Sequence, residues 1–294
     1  MRKVYLIAAL ALIAIGTGVV MWRGHTNSPI TAITKLFPYA NHAATVTFGV
    51  IGDNEGDNAT YRSLMQKLTA DSSIQFILHL GDAMENGGVT EVDQLKNLNA
   101  QLGVKVPFYI VPGNHDLTDD ATESAFQHVF GVIPRSIDIG TVHLVLLDNA
   151  ERKVGFSASE LSWLENDLRA WSAKKTKDDI AILAYHRPFA YPFASLLGDD
   201  ETKTSRASND KFLAILAKYP VNQIYAGHVH TLIDYDMSVA KGADGHTTQA
   251  VPVTVSGGGG GDIQSAFGGL LQGKFHALKV TVQGSTLQRE EVLP

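Results

Sequence analysis

The sequence contains no cysteine, so disulfide bonds, thiolate metal ligands and a cysteine nucleophile are excluded. Any bound metal ion has to be held by histidine, carboxylate and amide side chains. Basic residues are also few: 24 Lys and Arg stand against 30 Asp and Glu, and no broad basic surface for nucleic acid is evident. Because a lack of cysteine is compatible with every redox compartment, it does not locate the protein.

Charged residues are missing altogether from one long stretch near the start of the chain. Val4 to Trp22 carries none and follows Arg2 and Lys3. As a helix it would span roughly 28 Å, about the hydrocarbon thickness of a bilayer. We therefore expect residues 1–23 to be a membrane anchor, a transmembrane helix that places the rest of the chain in the periplasm or at the cell surface. The alternative is a cleaved signal peptide and a secreted protein, but the run is longer than a usual signal core and no A-x-A site follows it.

Beyond the apolar segment we expect a linker over residues 24–44 and one domain over residues 45–294. The composition of the chain, 45% hydrophobic and 18% charged, is that of an ordinary globular protein. The domain begins with an alternation of strands and helices that indicates a parallel sheet. The predicted strands are 45–51, 74–80 and 104–110, and the helices between them are 59–70 and 91–101.

The three predicted strands share one feature, because each ends in Gly-Asp or Gly-Asn. These endings bring Asp53, Asp82 and Asn114 to the carboxyl edge of the sheet, where α/β proteins place ligands. Each Gly-Asp alone is an ordinary turn or helix cap, but three on one edge favour a site. Further along, we predict helices at 122–130, 159–172 and 209–218, strands at 135–139, 142–147, 180–185 and 221–225, an irregular loop at 190–207, and a tail with strands at 232–239, 250–255, 275–283 and 286–292.

Two of the later strands also end in residues that bind metals. The strand at 180–185 precedes His186, and the strand at 221–225 precedes Gly227-His228-Val229-His230. In an extended His-x-His segment the two imidazoles share a face and can reach adjacent ions. We interpret His79, His128 and His143, in contrast, as core or surface histidines without a role in a site.

These motifs, in this order, resemble those of the calcineurin-like metallophosphoesterase superfamily, which includes purple acid phosphatases and many phosphodiesterases. The resemblance is carried by Asp53, Gly81-Asp82, Gly113-Asn114-His115-Asp116, His186 and Gly227-His228-Val229-His230. It implies an α/β fold, a four-layer αββα sandwich of two mixed sheets flanked by helices. It also implies the hydrolysis of a phosphate ester by a dinuclear centre of divalent ions, namely Mn, Fe, Zn or Mg, with a metal-activated water as the nucleophile.

The resemblance also implies a role for each matching residue. Asp82 would bridge the two ions, and His115 would donate a proton to the leaving group while Asp116 holds it in place. The remaining ligands divide into Asp53 and His230 for the first ion and Asn114, His186 and His228 for the second.

The sequence departs from the family pattern at one place, because the first motif, usually Asp-x-His, is Asp53-Asn54-Glu55. In purple acid phosphatases a Tyr three residues after the bridging Asp supplies that ligand, and here Glu85 stands there. Glu55 and Glu85 are both candidates for the vacant place, and both are equally ordinary solvated acids. A more acidic site would favour Mn²⁺, Mg²⁺ or Fe over Zn²⁺.

Several alternatives remain open from the sequence. Arg187 either contacts a substrate phosphate or packs at the surface, and the glycine run 257–261 either presents amides to an anion or forms a plain turn. Tyr191 and Phe193 are candidates for a wall of the substrate pocket. The competing function is a catalytically impaired domain that binds a phosphorylated ligand or a protein partner. The sequence decides neither monoesterase against diesterase nor the oligomeric state.

Overall fold

The structure is a computed structural model, and it describes residues 45–191, 194–197, 201–242, 245–263 and 273–294. The predicted membrane anchor and linker lie outside these residues. Within the described ranges, no helix is both long and apolar enough to cross a bilayer.

The described chain folds into alternating strands and helices followed by a β-rich tail. In chain order the elements are β1 (Val46–Ile51), α1 (Ala59–Ala70), β2 (Phe76–His79), α2 (Val89–Gln101), β3 (Phe108–Ile110), α3 (Asp120–Phe130), β4 (Arg135–Ile139), β5 (Val142–Leu146), α4 (Ala158–Ser172), β6 (Ile180–Ala184), a 3₁₀ turn (Ala194–Leu197), α5 (Lys203–Leu216), β7 (Gln223–Ala226), β8 (Leu232–Lys241), β9 (Thr247–Ser256), β10 (Ala277–Gln283) and β11 (Thr286–Val292).

The strands form two mixed sheets, as the sequence predicts. The first has the order β11-β10-β1-β2-β3, and the second has the order β4-β5-β6-β7-β9-β8. In the first sheet β1, β2 and β3 are parallel, β10 pairs with β1 in antiparallel fashion, and β11 pairs with β10 in antiparallel fashion at the edge. In the second sheet β5, β6, β7 and β9 are parallel, with antiparallel strands at both edges. The parallel strands of each sheet therefore send their carboxyl ends to a common edge.

Apolar side chains fill the space between the two sheets and lie under the helices. Between the sheets, the Phe48 and Phe76 rings stack with centroids 4.6 Å apart, and Tyr225 from the second sheet meets Phe48 edge-on. Leu64 and Leu68 of α1 pack with Ile77 of the first sheet. On the second sheet, the core cluster joins residues of α4 and α5, such as Leu164 and Phe212, to Leu183.

Two predicted boundaries are wrong by four residues or more: β3 begins at Phe108 instead of residue 104, and α5 begins at Lys203 instead of residue 209. The irregular loop at 190–207 is therefore shorter than expected. Thr202 caps the helix, since its side chain accepts a hydrogen bond from the backbone N–H of Ser205. The first turns bury polar residues: Ser208, for example, donates to the carbonyl oxygen of Phe156. An apolar period, which is the signal for a helix in sequence, is therefore absent there.

His143, which we interpreted as structural, lies in β5 between two carboxylates. Its Nδ1 is 2.6 Å from Asp138 Oδ1, and its Nε2 is 2.8 Å from Asp167 Oδ2. Burial lowers the pKa of His143, but the two hydrogen-bonded aspartates outweigh burial and raise it above its usual value. The imidazolium form therefore links β4 and β5 to α4.

We expect His143→Gln to destabilise the protein most in mildly acidic solution. Since the folded-state pKa is raised, the stabilisation is fully present below the unfolded-state pKa and is lost as the pH rises through the folded-state value. The variant should lose about 1.5–3 kcal/mol at pH 5.5, the usual contribution of hydrogen bonds to charged groups, and less in alkaline solution. Urea unfolding at a series of pH values measures this, with the exposed His128→Gln as the matched control. A loss that does not change with pH would contradict the prediction.

Candidate metal centre

The carboxyl ends of the two sheets meet, and the predicted ligands meet with them. Asp53 follows β1, and its Oδ1 accepts a hydrogen bond of 2.7 Å from the backbone N–H of His228, which follows β7 of the other sheet. The His186 ring, after β6, donates from Nδ1 to the carbonyl oxygen of Leu80, which follows β2, over 2.8 Å. Asn114 also belongs to this edge, with its Oδ1 3.1 Å from His186 Nε2.

Asp82 lies at the centre of this arrangement. Its Oδ2 is 3.1 Å from His186 Nε2, and its Oδ1 accepts a hydrogen bond of 2.7 Å from the backbone N–H of His115. In the described part of the chain, two groups of side chains hold their donor atoms within 4.8 Å of one another: Asp82, His186 and His228 form one, and Glu55, Asp82 and His115 form the other. Asp82 is common to both groups.

Asp82 and His186 stabilise each other's charged form. Burial would raise the pKa of Asp82, but the His186 ring and the His115 backbone N–H hold it well below its usual value. Burial would lower the pKa of His186, yet the carboxylates of Asp82 and Asp53 raise it to about 9. The histidine ring therefore occupies a strongly negative environment.

Asp53 is fully buried, and only one of its oxygens is hydrogen-bonded. Its Oδ2 has no hydrogen-bond partner among the described residues. Burial and the nearby Asp82 raise its pKa well above the usual value, although His186 opposes them. A buried, unpaired carboxylate oxygen is costly, and a cation relieves that cost. The donor set around it, made of oxygen and imidazole nitrogen, fits a divalent metal ion.

Several residues of the site have a strained backbone. Asp53, Glu55, Asp82 and His228 all have φ between 48° and 69°, a region that non-glycine residues seldom adopt. Backbone hydrogen bonds between the two loops maintain it, because Asp53 and Glu55 donate to the carbonyl oxygens of Gly81 and Asp82, each over 3.0 Å. Such strain persists where the surroundings fix the conformation, and it is concentrated at functional sites.

Glu55 and Glu85, the two candidates for the missing ligand, have different surroundings. Glu55 Oε1 is 3.7 Å from His230 Nε2, which is itself 3.7 Å from Asp53 Oδ1. A hydrogen bond from His230 Nδ1 to the carbonyl oxygen of Asp262 fixes the orientation of the ring and leaves Nε2 on the side of Glu55 and Asp53. The Glu85 side chain is exposed. Its backbone N–H donates a hydrogen bond to the Glu91 carboxylate, which orders the loop. Of the two glutamates, Glu55 therefore lies beside His230 and shares a group of donor atoms with Asp82 and His115.

The predicted pairing of His115 with Asp116 is wrong. Asp116 is buried beneath the loops, where Oδ1 accepts from the backbone N–H groups of Ala83 and Met84 and Oδ2 accepts from that of Gly113. The His115 ring instead donates from Nδ1 to the carbonyl oxygen of Glu85 over 2.8 Å. Because a carbonyl only accepts, this bond leaves His115 Nε2 as the nitrogen that can gain or lose a proton.

Asn54 and His79 support the site, and sequence reasoning assigned neither of them this role. Asn54 Nδ2 donates to the carbonyl oxygens of Gly56 and Ala83, and His79 Nε2 donates to Asn54 Oδ1. Burial lowers the pKa of His79 to about 3, so the ring is neutral. Its position in an otherwise apolar strand was the available signal, since a buried polar side chain needs a partner.

The glycine run packs directly against the loop of Asp53. Gly259 and Gly261 donate their N–H groups to the carbonyl oxygens of Gly52 and Asp53, both over 2.8 Å. A Cβ on Gly259 would lie 2.2 Å from the oxygen of Gly52, so only glycine fits there. Because the N–H groups of Gly259 and Gly261 donate to backbone carbonyl oxygens, they are not available to bind an anion. The same hydrogen bonds attach the glycine run to the Asp53 loop, so the run is more than a plain turn.

The remaining predicted residues border the site or lie apart from it. Arg187 Nη1 donates to His228 Nε2 over 2.7 Å, and its Nε donates to the carbonyl oxygen of Ala150. Tyr191 is buried in the core beside the second sheet. Phe193 lies outside the described residues.

Comparison with known proteins agrees with this geometry. The sequence profile of the family described as Calcineurin-like phosphoesterase matches residues 46–232. The chain belongs to this family.

Individual relatives are distant. A probable glycerophosphodiester phosphodiesterase of Arcobacter nitrofigilis is 24% identical over 162 residues, which are 52% of this chain and 56% of that protein. A purple acid phosphatase from yellow lupin seeds (Lupinus luteus) superposes with a TM-score of 0.61 at 18% identity, covering 86% of this chain and 52% of that one. A Plasmodium protein described as the anchor in the inner membrane complex has a TM-score of 0.54 at 13% identity, covering 85% and 90%. The chain thus spans about half the length of the curated relative it matches, and the solved structures share its fold.

Proposed function

We propose that the protein is a metal-dependent phosphoesterase that hydrolyses a phosphate ester at a dinuclear centre around Asp82. The observation that carries the proposal is the buried Oδ2 of Asp53, which lacks a hydrogen-bond partner among the described residues, while Oδ1 of the same carboxyl group lies 3.7 Å from His230 Nε2. The family supports the same activity.

The geometry supports a division of the donors between two ions. Asp53, Glu55 and His230 would hold the first ion, Asn114, His186 and His228 the second, and Asp82 both. Carboxylate and amide oxygens are numerous in this set, which favours Mn²⁺, Mg²⁺ or Fe over Zn²⁺.

The protein's own residues would bind the phosphate and move the proton. When bound, the divalent ions would supply Lewis acidity, which makes water more acidic and neutralises the charge of the phosphate. As water loses a proton to the solvent and its oxygen forms a bond to phosphorus, the bond from phosphorus to the leaving alcohol breaks, and His115 Nε2 gives the leaving oxygen a proton. The hydrogen bond from His115 Nδ1 to the carbonyl oxygen of Glu85 keeps Nε2 directed for this transfer. Arg187, whose Nη1 lies 2.7 Å from His228 Nε2, would contact the phosphate.

The direct test is a metal add-back assay on the full chain. The protein is stripped of metal, and Mn²⁺, Fe²⁺, Zn²⁺ and Mg²⁺ are restored singly with p-nitrophenyl phosphate or bis-p-nitrophenyl phosphate as the substrate. We expect one or more ions to restore hydrolysis, and the preferred substrate distinguishes a monoesterase from a diesterase. A folded protein that binds none of these ions would refute the proposal.

The role of Glu55 has its own prediction. We expect Glu55→Ala to weaken binding of one of the two ions at least about 10–100-fold, the loss found even for residues that only orient metal ligands. Glu55→His should keep both ions and shift the preference towards Zn²⁺, because imidazole is a softer donor than carboxylate. Calorimetric titration and metal analysis measure both effects. Glu85→Ala is the matched control, and an equal loss in that variant would contradict the assignment.

The competing function, a domain that binds a phosphorylated ligand or a protein partner without hydrolysis, rests on the replacement of the usual histidine by Glu55. The assay separates the two, because that domain would bind metal and phosphate and turn over neither ester with any ion.

A further inference from the structure

A chain of hydrogen bonds through two buried side chains lies beside the loop of Glu55. The backbone N–H of Gly81 donates to His79 Nδ1 over 3.2 Å, and His79 Nε2 donates to Asn54 Oδ1 over 2.7 Å. Because an N–H group only donates, the Gly81 bond leaves the hydrogen of the neutral ring on Nε2. His79 and Asn54 are both 0% exposed, so solvent does not compete for these bonds. The backbone of Gly81 therefore fixes the direction of the hydrogen bond to Asn54.

The Asn54 amide connects two loops that carry proposed ligands. Its Nδ2 donates to the carbonyl oxygen of Gly56 over 2.8 Å, in the loop after β1, and to that of Ala83 over 3.1 Å, in the loop after β2. Both hydrogens of the amide are used in this way, and its oxygen accepts from His79. Turning the amide over would place an oxygen against two carbonyl oxygens, which only accept. The hydrogen bond from His79 therefore keeps the amide in the orientation that joins the loops.

Glu55 lies in the segment that this amide closes, because the amide reaches from residue 54 to the carbonyl oxygen of Gly56. Glu55 has a φ of 49°, a conformation that is unfavourable for a residue with a side chain. Its N–H donates to the carbonyl oxygen of Asp82 over 3.0 Å. A strained backbone of this kind persists where its surroundings fix it. The amide thus holds the backbone from which Glu55 reaches towards His230, with Oε1 3.7 Å from Nε2.

Asn54 and His79 have no polar atom left to bind an ion or a substrate. The oxygen and nitrogen of the amide and both nitrogens of the ring are used within the chain of hydrogen bonds. The groups of side chains close enough to hold a metal ion in the described structure include Glu55 and do not include His79. Any effect of the pair on the metal centre therefore acts through the residues that it holds.

We propose that Asn54 and His79 are positioning residues, which hold Glu55 as a ligand of the first ion and thereby set the affinity for that ion. Ordering a glutamate side chain costs conformational entropy. Because the backbone is already fixed, metal binding has to order the side chain alone, which allows Glu55 to take the place that histidine has in the family pattern. The inference rests on the proposed function, because it concerns the same metal centre.

The test measures the affinity of the full chain for each Mn²⁺ ion by calorimetric titration. Asn54→Asp keeps an oxygen that accepts from His79, but it replaces the donor Nδ2 with an oxygen that faces two carbonyl groups. His79→Phe keeps a ring beside Tyr61 and Phe108, whose ring centroids lie 6.2 and 5.7 Å from that of His79, and loses both hydrogen bonds. We expect each variant to weaken binding of the first ion about 10–100-fold, the usual effect of residues that orient metal ligands, and to leave the second ion unchanged.

A double-mutant comparison shows whether the pair acts through Glu55. Glu55→Ala identifies the first ion as the one whose binding it weakens. In that background, neither Asn54→Asp nor His79→Phe should weaken binding further, because effects that act through one residue do not add. His79→Gln, whose amide N–H replaces the imidazole donor, should bind the first ion more tightly than His79→Phe.

Electron paramagnetic resonance of the Mn²⁺ form gives a second readout. Two ions in one centre give a spin-coupled spectrum, and an isolated ion does not. Asn54→Asp and His79→Phe should lose the coupled spectrum at Mn²⁺ concentrations where the unmodified protein retains it. Asn99→Asp is the matched control, because it alters a buried amide on α2 whose Oδ1 accepts from the Tyr61 hydroxyl.

The outcomes separate this inference from the proposed function. Variants that bind both ions as tightly as the unmodified protein would overturn the inference and leave the phosphoesterase in place. Equal weakening of both ions would do the same, since the pair would then support the whole centre and not Glu55. An unmodified protein that binds no ion would refute the proposed function, and the inference with it. Thermal unfolding without metal identifies any variant that does not fold. If Asn54→Asp and His79→Phe both fail to fold, Asn54→Ser, which removes the amide without adding a repelling oxygen, decides by the same criteria.

Discussion

Asp82→Asn should abolish metal-dependent hydrolysis, with a fall in kcat of at least about 1,000-fold, comparable to the loss of a strong transition-state contact. Asp82 belongs to both groups of donor atoms, so its negative charge serves both proposed ions. Asparagine keeps the shape of the side chain and an oxygen that can accept from the His115 backbone N–H, but it loses the charge. The variant therefore tests the charge and not the packing.

The same variant has a second readout that does not depend on activity. Ligands that bind only the folded state raise the unfolding temperature. We expect added Mn²⁺ to raise the unfolding temperature of the unmodified protein and to leave that of Asp82→Asn unchanged. Without metal, the variant should be less stable than the unmodified protein at neutral pH, because it loses the charge that pairs with the buried His186 ring, whose Nε2 lies 3.1 Å from Asp82 Oδ2. Asp57→Asn, an exposed aspartate paired with Arg62, is the control. A variant that still gains stability with Mn²⁺ would show that Asp82 is not a ligand.

The sequence predicted the fold and the gathering of the ligands because both depend on local patterns. Short β-branched runs indicated the strands, and their Gly-Asp and Gly-Asn endings indicated the edge where Asp53, Asp82 and Asn114 lie. Parallel strands bring their carboxyl ends together, so a prediction of topology was also a prediction of proximity.

The details that the sequence could not supply depend on how side chains pack in three dimensions. Glu55 and Glu85 are both acids in loops, and only the distance to His230 separates them. Asp116 follows His115 in sequence, yet it turns beneath the loops and accepts three backbone N–H groups. Asn54 is the middle residue of the first motif, where the family pattern specifies no residue type. Its hydrogen bond with His79 could not be predicted, because it depends on how β1 and β2 are aligned in the sheet.

The distinction between His115 and Asp116 leads to a prediction about leaving groups. Nitrophenolate is a stable anion and needs little help from an acid, whereas an alkoxide has to be protonated as it departs. If His115 Nε2 supplies that proton, His115→Ala should lower kcat for an alkyl phosphate ester by about 100- to 10,000-fold, the usual range for general acid catalysis. The loss for a p-nitrophenyl ester should be much smaller. Steady-state kinetics with a matched pair of esters measures the difference.

Asp116→Asn provides the contrasting case, because the Asp116 carboxylate orders the loops and does not contact the His115 ring. An amide nitrogen in place of one oxygen would face a backbone N–H, at a cost of about 1–3 kcal/mol in the free energy of unfolding. We therefore expect this variant to unfold at a lower temperature and to lose activity equally towards both esters. If His115→Ala also affected both esters equally while its stability was unchanged, then His115 would act through its charge or by binding the phosphate. The proton would in that case have to reach the leaving oxygen from another donor.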